Sequence, residues 1–432
     1  MDSELDSFLS LAQKTLGDEG ASRCDWLENG LREVLLDAGA RILQPLLCDP
    51  SLNVPGDERR TGEKRMGNQP RTIQTMFGPI RIERTGYYSK SASSCRYPLD
   101  DALLVIAGFT PAAAMLAGRS ASSDSFAEAS ENLSAMAGIE IEPRRIQRLV
   151  QTVGPSLNEE LCRTREPEEK AVPRMYISAD GTGIPMRRDQ LAGRKGKQPD
   201  GTAKTHEIKT GCIFTQHPAE NDEKPWRDLD STTYVATTER VDGFSAKLLG
   251  EARRRNLGKA EDVVFISDGA AWIKRICREC FPSATWILDF YHATEYLHEL
   301  VKILFSGSEA ERKFARWKKE LRNGGIDKII DRATKLCSAK NRAAAEEKLN
   351  YFRKNIEGMR YGEFRKKGCF IGSGVIEATC KTVVGKRCKQ SGMFWSEQGA
   401  ENILTLRVAR KNGEYEAIWT DDVLHKIRDI AA

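Results

Sequence analysis

Two aspartates follow short apolar runs that are typical of buried β-strands. Asp180 comes after residues 175–179 and Asp268 after residues 263–267, and each is followed by a glycine. Strand ends are where an α/β sheet displays reactive groups, and a neighbouring glycine lets a bulky ligand approach. A carboxylate at the end of a buried strand costs free energy unless a cation neutralises it. An aspartate in such a turn also caps the next helix, so both roles stay open.

A third acidic residue, Glu377, follows a Gly-Ser-Gly sequence at the start of a predicted helix. Capping of that helix is an alternative role for it. Mg²⁺ prefers oxygen ligands, usually one or two carboxylates for each ion together with water and substrate phosphate. Three convergent carboxylates can hold two such ions, which activate a water or hydroxyl on one side of a phosphodiester and stabilise the leaving oxygen on the other. We therefore predict Mg²⁺, for which Mn²⁺ can substitute, as the cofactor.

Basic residues accompany the acidic positions. One group lies in a loop rich in glycine that we expect to follow a DNA strand, and a second group follows Glu377. Because Lys and Arg bind nucleic-acid phosphates, both groups are candidate DNA contacts. The loop residues are Arg187, Arg188, Arg194, Lys195, Lys197 and Lys204, and the later residues are Lys381, Lys386, Arg387 and Lys389. Three aromatic residues, within the basic insertion or after Glu377, are candidates for base stacking or for core packing, namely Trp317, Phe394 and Trp395.

The charge of the chain is unevenly distributed. Over 432 residues, 67 Lys and Arg against 62 Asp and Glu give a net charge of +5. Residues 301–432 contain 28 basic and 17 acidic side chains, a net of +11, which leaves 39 and 45, a net of −6, for residues 1–300. This asymmetry indicates a polyanion-binding surface, although a solvated helical face rich in lysine has the same composition.

The composition argues against several protein classes. No apolar stretch approaches the roughly 18 residues that a membrane-spanning helix needs, and the acidic N-terminus lacks the features of a signal peptide. We therefore expect a cytoplasmic protein without membrane partners, whose 11 cysteines are thiols. Cys277 and Cys280 have no second pair or neighbouring histidine at metal-binding spacing, so we interpret them as core residues and expect no zinc.

The elements that must position these residues follow from the pattern of apolar residues, Gly and Pro. Three predicted strands in a meander, then alternating strands and helices, favour an α/β fold with a mixed sheet. A basic, mostly helical stretch appears as an insertion before the helix of Glu377. The predicted divisions are a helical accessory region and linker at 1–68, a β-hairpin plus helix-turn-helix region at 69–170, the first part of the catalytic core at 171–300, the all-α insertion at 301–368 and the final part of the core at 369–432.

The helix-turn-helix pattern lies between residues 125 and 150. Ser125 can cap a first helix, Gly138 ends it, and Pro143 opens a second one. In DNA-binding versions the second helix enters the major groove, whereas similar pairs in plain α-bundles bind nothing. The basic residues of the second helix are Arg144, Arg145 and Arg148.

Five segments then occur in a characteristic order. They are DGTGIPMR from Asp180, AGRKGKQPDGTAKTHEIK from Ala192, ISDGAAWI from Ile266, LDFYHATEYL from Leu288, and GSGVIEATCK from Gly372 with a later GMFWS. Together they resemble bacterial insertion-sequence transposases of the ISKra type, which are related to the Mutator-like DDE transposases. The resemblance implies an RNase H-like catalytic domain with a helical insertion, in which Asp180, Asp268 and Glu377 form a triad that binds two Mg²⁺ ions.

The same resemblance draws attention to Asp289 and His292. Mutator-like relatives carry an acidic residue or Cys, two further residues and a His at this place. These groups either orient DNA or a flanking base, or support the acidic site. A third interpretation is that His292 is only a helix-start residue bonded to Asp289.

The function that the resemblance implies is transposition. Such a protein binds the terminal inverted repeats of its element, cuts the double-stranded DNA with metal-dependent chemistry, and joins the freed 3′-hydroxyl to target DNA. Because two ends must be brought together, we expect a homo-oligomer associated with the bacterial nucleoid. The alternatives are an RNase H-like nuclease or resolvase that does not join DNA, and a non-enzymatic DNA-binding relative.

Overall fold

The computed structural model describes residues 24–49, 58–163, 172–190, 205–216 and 226–431, with isolated positions before residue 14 and Val54. The expected α/β class is confirmed, because helices accompany an antiparallel sheet and a mixed sheet. The chain divides into two compact units. Residues 1–161 and 405–432 form the first, and residues 162–404 form the second. Among the described residues, no helix combines the length and apolar character needed to cross a membrane.

The first unit contains a three-stranded antiparallel sheet. Its strands are β1 (Glu63–Thr75), β2 (Gly78–Ser89) and β3 (Ser94–Arg96). The predicted hairpin is confirmed but longer, since β1 begins at Glu63 within the expected linker. Ile73, Ile80 and Ile82 are fully or almost fully buried in a small core, so alternation along the strands places one face against it.

The helices of the first unit include the expected helix-turn-helix pair. Ser125 and Glu128 form a reciprocal capping box, Gly138 ends the first helix in a left-handed conformation, and Pro143 starts the second. The helices are α1 (Cys24–Leu47), α2 (Pro98–Ala102), α3 (Pro111–Ala121), α4 (Phe126–Asn132), which continues as a π-helical turn, and α5 (Pro143–Leu161).

The second unit is built on a five-stranded mixed sheet. Its strands are β4 (Val172–Pro185), β5 (Thr205–Thr215), β6 (Thr233–Thr237), β7 (Ala260–Ser267) and β8 (Thr285–Leu288). They are arranged in the order β6-β5-β4-β7-β8. β5 runs antiparallel to both of its neighbours, β4 and β6. On the other side of β4, β7 is parallel to β4, and β8 is parallel to β7. The predicted meander followed by alternating strands and helices is therefore confirmed.

Helices cover both faces of this sheet. They are α6 (Val241–Arg254), α7 (Ala271–Cys280), α8 (Phe290–Leu304), α9 (Gly307–Arg322), α10 (Ile326–Leu336), α11 (Arg342–Asn355), α12 (Tyr361–Lys366), α13 (Gly374–Thr379) and α14 (Lys386–Cys388). The last helices are α15 (Glu397–Lys411) and α16 (Asp421–Ala431). The boundary between the units falls within α15, so residues 405–432 group with the first unit and not with the predicted catalytic core.

The helical stretch at residues 301–368 shares its core with the sheet. Tyr176 and Val264 of the sheet belong to the same buried cluster as Trp317 and Phe352 of the helices. The opposite face of the sheet packs in a second cluster around Phe265. The stretch is therefore an integral layer of the second unit, and Trp317 is a core residue that cannot stack on a base.

Candidate active site

Asp180 was predicted at the end of a strand, but it lies within one. β4 continues to Pro185, and Asp180 pairs with Thr210 of β5. It shares a sheet face with Tyr176, since side chains alternate along a strand. Its Oδ1 accepts a hydrogen bond from the Gly181 N–H at 2.7 Å, and its Oδ2 accepts one from the Cys380 thiol at 3.3 Å. The carboxylate is half-buried and held from two sides.

Asp268 follows the last residue of β7, as predicted. Its Oδ1 accepts a hydrogen bond from the Ala270 N–H at 2.8 Å, which stabilises the turn into α7. Gly269 between them has a φ of +89°, a left-handed conformation that favours glycine. Since β7 is the parallel neighbour of β4, the turn brings Asp268 to the strand that carries Asp180.

Glu377 lies in the first turn of α13 and its side chain is exposed. The Ser373 hydroxyl donates a hydrogen bond to its Oε1 at 3.4 Å. Ile376 of the same turn belongs to the buried cluster on the Tyr176 face of the sheet, so α13 packs on the face to which Asp180 points. The helix then widens into a π-helical segment at Cys380–Gly385 before α14 begins.

The three acidic groups interact through their charges. Burial raises the pKa of Asp180, and the negative charges of Asp268 and Glu377 raise it further, while hydrogen bonds from Gly181 and Cys380 act in the opposite direction. A cation would relieve this repulsion, and the oxygen donors suit Mg²⁺. Within the described residues, however, no three His, Cys, Asp or Glu side chains are gathered closely enough to hold an ion as they stand. The donor chemistry fits the predicted metal, although the carboxylates do not form a closed ligand set.

Asp289 is buried, and both of its carboxylate oxygens accept hydrogen bonds from backbone groups. Oδ1 accepts from the His292 N–H at 2.6 Å and thereby caps α8, and Oδ2 accepts from the Ser373 N–H. Its own N–H donates to the Ser267 carbonyl at 2.7 Å. Asp289 therefore connects the end of β7 with the start of α8 and with the entry to α13. The structure shows the third interpretation for His292, a helix-start residue whose N–H is bonded to Asp289.

The ring of His292 lies beside aromatic residues of the helical layer. Its centroid is 5.4 Å from that of Tyr296, which stacks on Tyr351 at 3.7 Å. The Tyr351 hydroxyl is buried and makes no hydrogen bond in the described structure. Burial raises the pKa of Tyr351, and the Asp268 and Asp289 charges add to the effect. Sequence reasoning missed Tyr351 because it looks like any other apolar-face residue of a helix.

The candidate DNA contacts of this unit fall into three groups. Arg187, Arg188, Lys381, Lys386 and Lys389 are exposed, as a phosphate contact requires. The expectation for Arg387 is corrected, because its side chain is fully buried and its guanidinium lies 5.0 Å from the Trp395 ring centre. Arg194, Lys195, Lys197 and Lys204 lie outside the described residues.

The aromatic candidates after Glu377 also separate. Trp395 is 7% exposed and packs in the interior, whereas Phe394 is 65% exposed and stays available for stacking. The Trp395 backbone donates to the Pro185 carbonyl at 3.1 Å and accepts from the Arg187 N–H at 2.8 Å. These two bonds join the end of β4 to the segment that follows α14.

The helix-turn-helix arginines belong to the first unit. Arg144 and Arg148 are exposed on α5. Arg145 is half-buried, with its guanidinium 5.0 Å from the ring centre of Phe109. Two of the three predicted contacts are therefore fully accessible, and the third is partly used in packing.

Comparison with known proteins places the chain in a family. A model described as an uncharacterised protein family, UPF0236, matches residues 21–419. The chain belongs to the UPF0236 family. It is 22% identical to a UPF0236 protein of Caldanaerobacter subterraneus subsp. tengcongensis, over 89% of this chain and 78% of that protein.

Two further UPF0236 relatives show the same level of similarity. One, also from Caldanaerobacter subterraneus subsp. tengcongensis, is 24% identical over 90% of this chain and 80% of its own length, and its name carries eleven locus labels. The other, from Streptococcus gallolyticus, is described as a UPF0236 protein in the vanSb 3′ region and is 23% identical over 81% of this chain and 75% of its own length.

Proposed function

We propose that this protein is a DNA transposase that binds the ends of an insertion sequence and catalyses metal-dependent strand cleavage and strand transfer. The observation that supports the proposal is the placement of three carboxylates on one side of a mixed sheet, where the charges of Asp268 and Glu377 raise the pKa of Asp180 although the three groups do not yet form a closed ligand set. Asp180 comes from the central strand, Asp268 from the turn after its parallel neighbour, and Glu377 from a helix packed on that face. The antiparallel meander extended by two parallel strands supports an RNase H-like catalytic domain.

In this proposal the acidic residues bind the metal and the exposed lysines bind DNA. Mg²⁺, held by these carboxylates, would activate a water or the 3′-hydroxyl of DNA and would stabilise the leaving oxygen. Asp180 and Asp268 hold the metal-binding face from the sheet, and Glu377 completes it from α13. The exposed lysines after Glu377 bind phosphates of the DNA backbone. No covalent bond between protein and DNA is expected, which distinguishes this chemistry from that of tyrosine and serine recombinases.

The family comparison adds independent support. The name of one relative carries eleven labels from one organism, which we interpret as eleven copies of its gene. A gene present in many copies is what a mobile element produces when it transposes. Bringing two element ends together further implies a homo-oligomer that acts on the bacterial nucleoid.

The triad is tested by neutralising each carboxylate. Asp180→Asn, Asp268→Asn and Glu377→Gln should each abolish Mg²⁺- or Mn²⁺-dependent cleavage of end DNA, because each removes a charged metal ligand. Binding of end DNA, measured by gel shift, should stay close to that of the wild type. Cleavage at the wild-type rate by any one variant would remove that residue from the triad.

Glu207→Gln is the matched control. Glu207 is an exposed carboxylate on β5 whose side chain covers Gly181, one residue from Asp180 on the opposite face of the sheet. Its neutralisation should leave cleavage unchanged. Loss of cleavage in this variant as well would show that the assay responds to charge in general.

A strand-transfer assay with precut ends separates the proposal from its rivals. A transposase joins the 3′-hydroxyl to target DNA, whereas a nuclease or resolvase of the same fold gives no joined product. A non-enzymatic DNA-binding relative gives neither nicking nor joining. Absence of joining with retained cleavage would favour the nuclease.

A further inference from the structure

A cysteine thiol contacts the central carboxylate of the candidate site. We propose that Cys380 is a positioning residue that holds Asp180 in the orientation needed for metal binding and fixes the helix of Glu377 to the same strand. This inference rests on the proposed function and adds a residue to it. Cys380 is not itself a member of the acidic triad.

The contacts around Cys380 indicate where its thiol hydrogen is directed. Its Sγ lies 3.3 Å from Asp180 Oδ2 and 3.0 Å from Thr210 Oγ1, and that hydroxyl lies 3.1 Å from the Asp180 carbonyl. The Thr210 hydroxyl has one hydrogen, which it can direct to the Asp180 carbonyl or to sulfur, so its contact with Cys380 does not require the thiol hydrogen. The charged carboxylate is the stronger acceptor for the thiol hydrogen. Cys380 is therefore a donor to Asp180.

The position of Cys380 in its helix explains how it acts on two carboxylates. Cys380 lies three residues after Glu377, a spacing that puts both side chains on the same side of a helix. It is also the first residue of the π-helical segment, a type of widening that occurs frequently at functional sites. The Cys380 contact thus connects the strand of Asp180 to the helix that carries Glu377.

A thiol suits this place because it is a weak donor without charge. An arginine or lysine would neutralise Asp180 and compete with a cation. The hydrogen bond from sulfur restrains Oδ2 while the negative charge remains available. Together with the Gly181 N–H on Oδ1, it restrains both oxygens of the carboxylate.

The test compares three substitutions in the full chain. Cys380→Ala removes the donor, Cys380→Ser keeps a donor with a shorter reach, and Cys388→Ala removes a buried thiol eight residues further along. Mn²⁺ binding is measured directly by electron paramagnetic resonance without DNA, and the Mn²⁺ concentration for half-maximal cleavage is measured with end DNA. Thermal unfolding reports on the integrity of each variant.

We expect Cys380→Ala to weaken Mn²⁺ binding and to raise the half-saturating Mn²⁺ concentration by about tenfold, the scale at which residues that orient metal ligands act. Cys380→Ser should recover most of this loss, and Cys388→Ala should bind Mn²⁺ as the wild type does. A purely structural role would instead lower the unfolding temperature of both alanine variants and leave Mn²⁺ binding by folded protein unchanged.

The outcomes separate this inference from the proposed function. Wild-type Mn²⁺ binding in folded Cys380→Ala, with cleavage intact, overturns the role of Cys380 alone. If Cys380→Ala does not fold, Cys380→Val removes the donor while keeping a similar side-chain volume, and wild-type Mn²⁺ affinity in folded Cys380→Val overturns the role of Cys380. A wild-type protein that neither binds Mn²⁺ nor cleaves end DNA overturns the proposed function and this inference with it.

Discussion

Glu401 takes part in a buried ion-pair network of the second unit. Its carboxylate accepts hydrogen bonds from the Thr238 N–H at 2.7 Å, from the Thr237 hydroxyl at 2.8 Å and from the Lys247 ammonium at 2.8 Å. Burial by itself raises the pKa of Glu401, but the charge of Lys247 and the hydrogen bonds outweigh it and lower the pKa below 4.5. The ion pair fixes α15 to the edge of the sheet at β6.

The sign of this shift predicts an acid-sensitive network. Because the folded-state pKa of Glu401 is below its unfolded value, its contribution to stability is present above about pH 4.5 and is lost as the pH falls towards the folded-state pKa. Glu401→Gln leaves Lys247 buried without its main partner and should destabilise the protein by roughly 3 kcal/mol. The variant should also show a weaker dependence of thermal unfolding on pH below 4.5.

Glu239→Gln provides the comparison for this prediction. Glu239 contacts the same ammonium at 2.9 Å, but its side chain is 43% exposed, against 10% for Glu401. Solvent screens the more exposed pair, so the cost should be below about 1 kcal/mol. Equal destabilisation by Glu401→Gln and Glu239→Gln would contradict the conclusion that burial makes the ion pair of Glu401 the stronger one.

At the scale of elements, Asp289 fixes the relative positions of β7, α8 and α13. Asp289→Asn keeps one acceptor oxygen but presents an amide N–H₂ to a backbone N–H at His292 or Ser373, so one donor loses its partner. An unsatisfied buried donor costs about 1–3 kcal/mol, which thermal unfolding should detect. Because α13 carries Glu377, cleavage of end DNA should fall by roughly tenfold or more.

Glu295→Gln is the matched control for Asp289→Asn. Glu295 is 75% exposed, and its carboxylate lies 3.6 Å from the His292 ring. It changes the surroundings of the His292 side chain without touching the backbone bonds of Asp289. Unaltered unfolding and cleavage in Asp289→Asn would show that these bonds do not position Glu377.

Elements formed by local patterns were predictable from the sequence, whereas their exact ends were not. The capping box at Ser125 and the break at Gly138 depend on neighbouring residues, and both are confirmed. The end of β4 was placed at Asp180 because a charged residue followed by glycine normally ends a buried strand. Pairing with β5 carries β4 past this residue to Pro185, and no local pattern reports such pairing.

The candidate site was predictable only as a set of residue types. Both aspartates and Glu377 were found because carboxylates next to glycines stand out in the sequence. Cys380 was missed because its contact with Asp180 joins residues 200 positions apart. Tyr351 was missed because only the fold brings its helix, α11, beside Gly269. Arg387 was misassigned because a buried arginine and an exposed one look the same in a basic segment.

At the scale of the whole molecule, the distribution of charge predicts a salt dependence for the DNA binding that we propose. Three exposed lysines, Lys381, Lys386 and Lys389, follow the acidic site. Replacing one lysine that binds a phosphate should reduce the slope of log Kd against log salt concentration by about 0.9. The triple substitution to Gln should therefore lower the slope by roughly 2.7 if all three bind phosphates, as fluorescence anisotropy across a salt series would show.

Arg387→Gln separates charge from surface binding in this experiment. It removes one positive charge from the same segment, but the side chain is fully buried. It should destabilise the protein and leave the salt slope unchanged in the folded fraction. An equal reduction of the slope by Arg387→Gln and by substitution of a single exposed lysine would contradict phosphate binding by these lysines.

The shared core of the sheet and the helical layer has a consequence for synthesis. The Tyr176 hydroxyl accepts a hydrogen bond from the Phe370 N–H, a contact between residues 194 positions apart in the chain. Tyr176 emerges from the ribosome long before the helices that cover its side of the sheet. Until those helices are made, the apolar face of β4 stays exposed to water, and such a period favours aggregation. The period before residues 301–370 are made is therefore the stage of synthesis at which aggregation is most favoured.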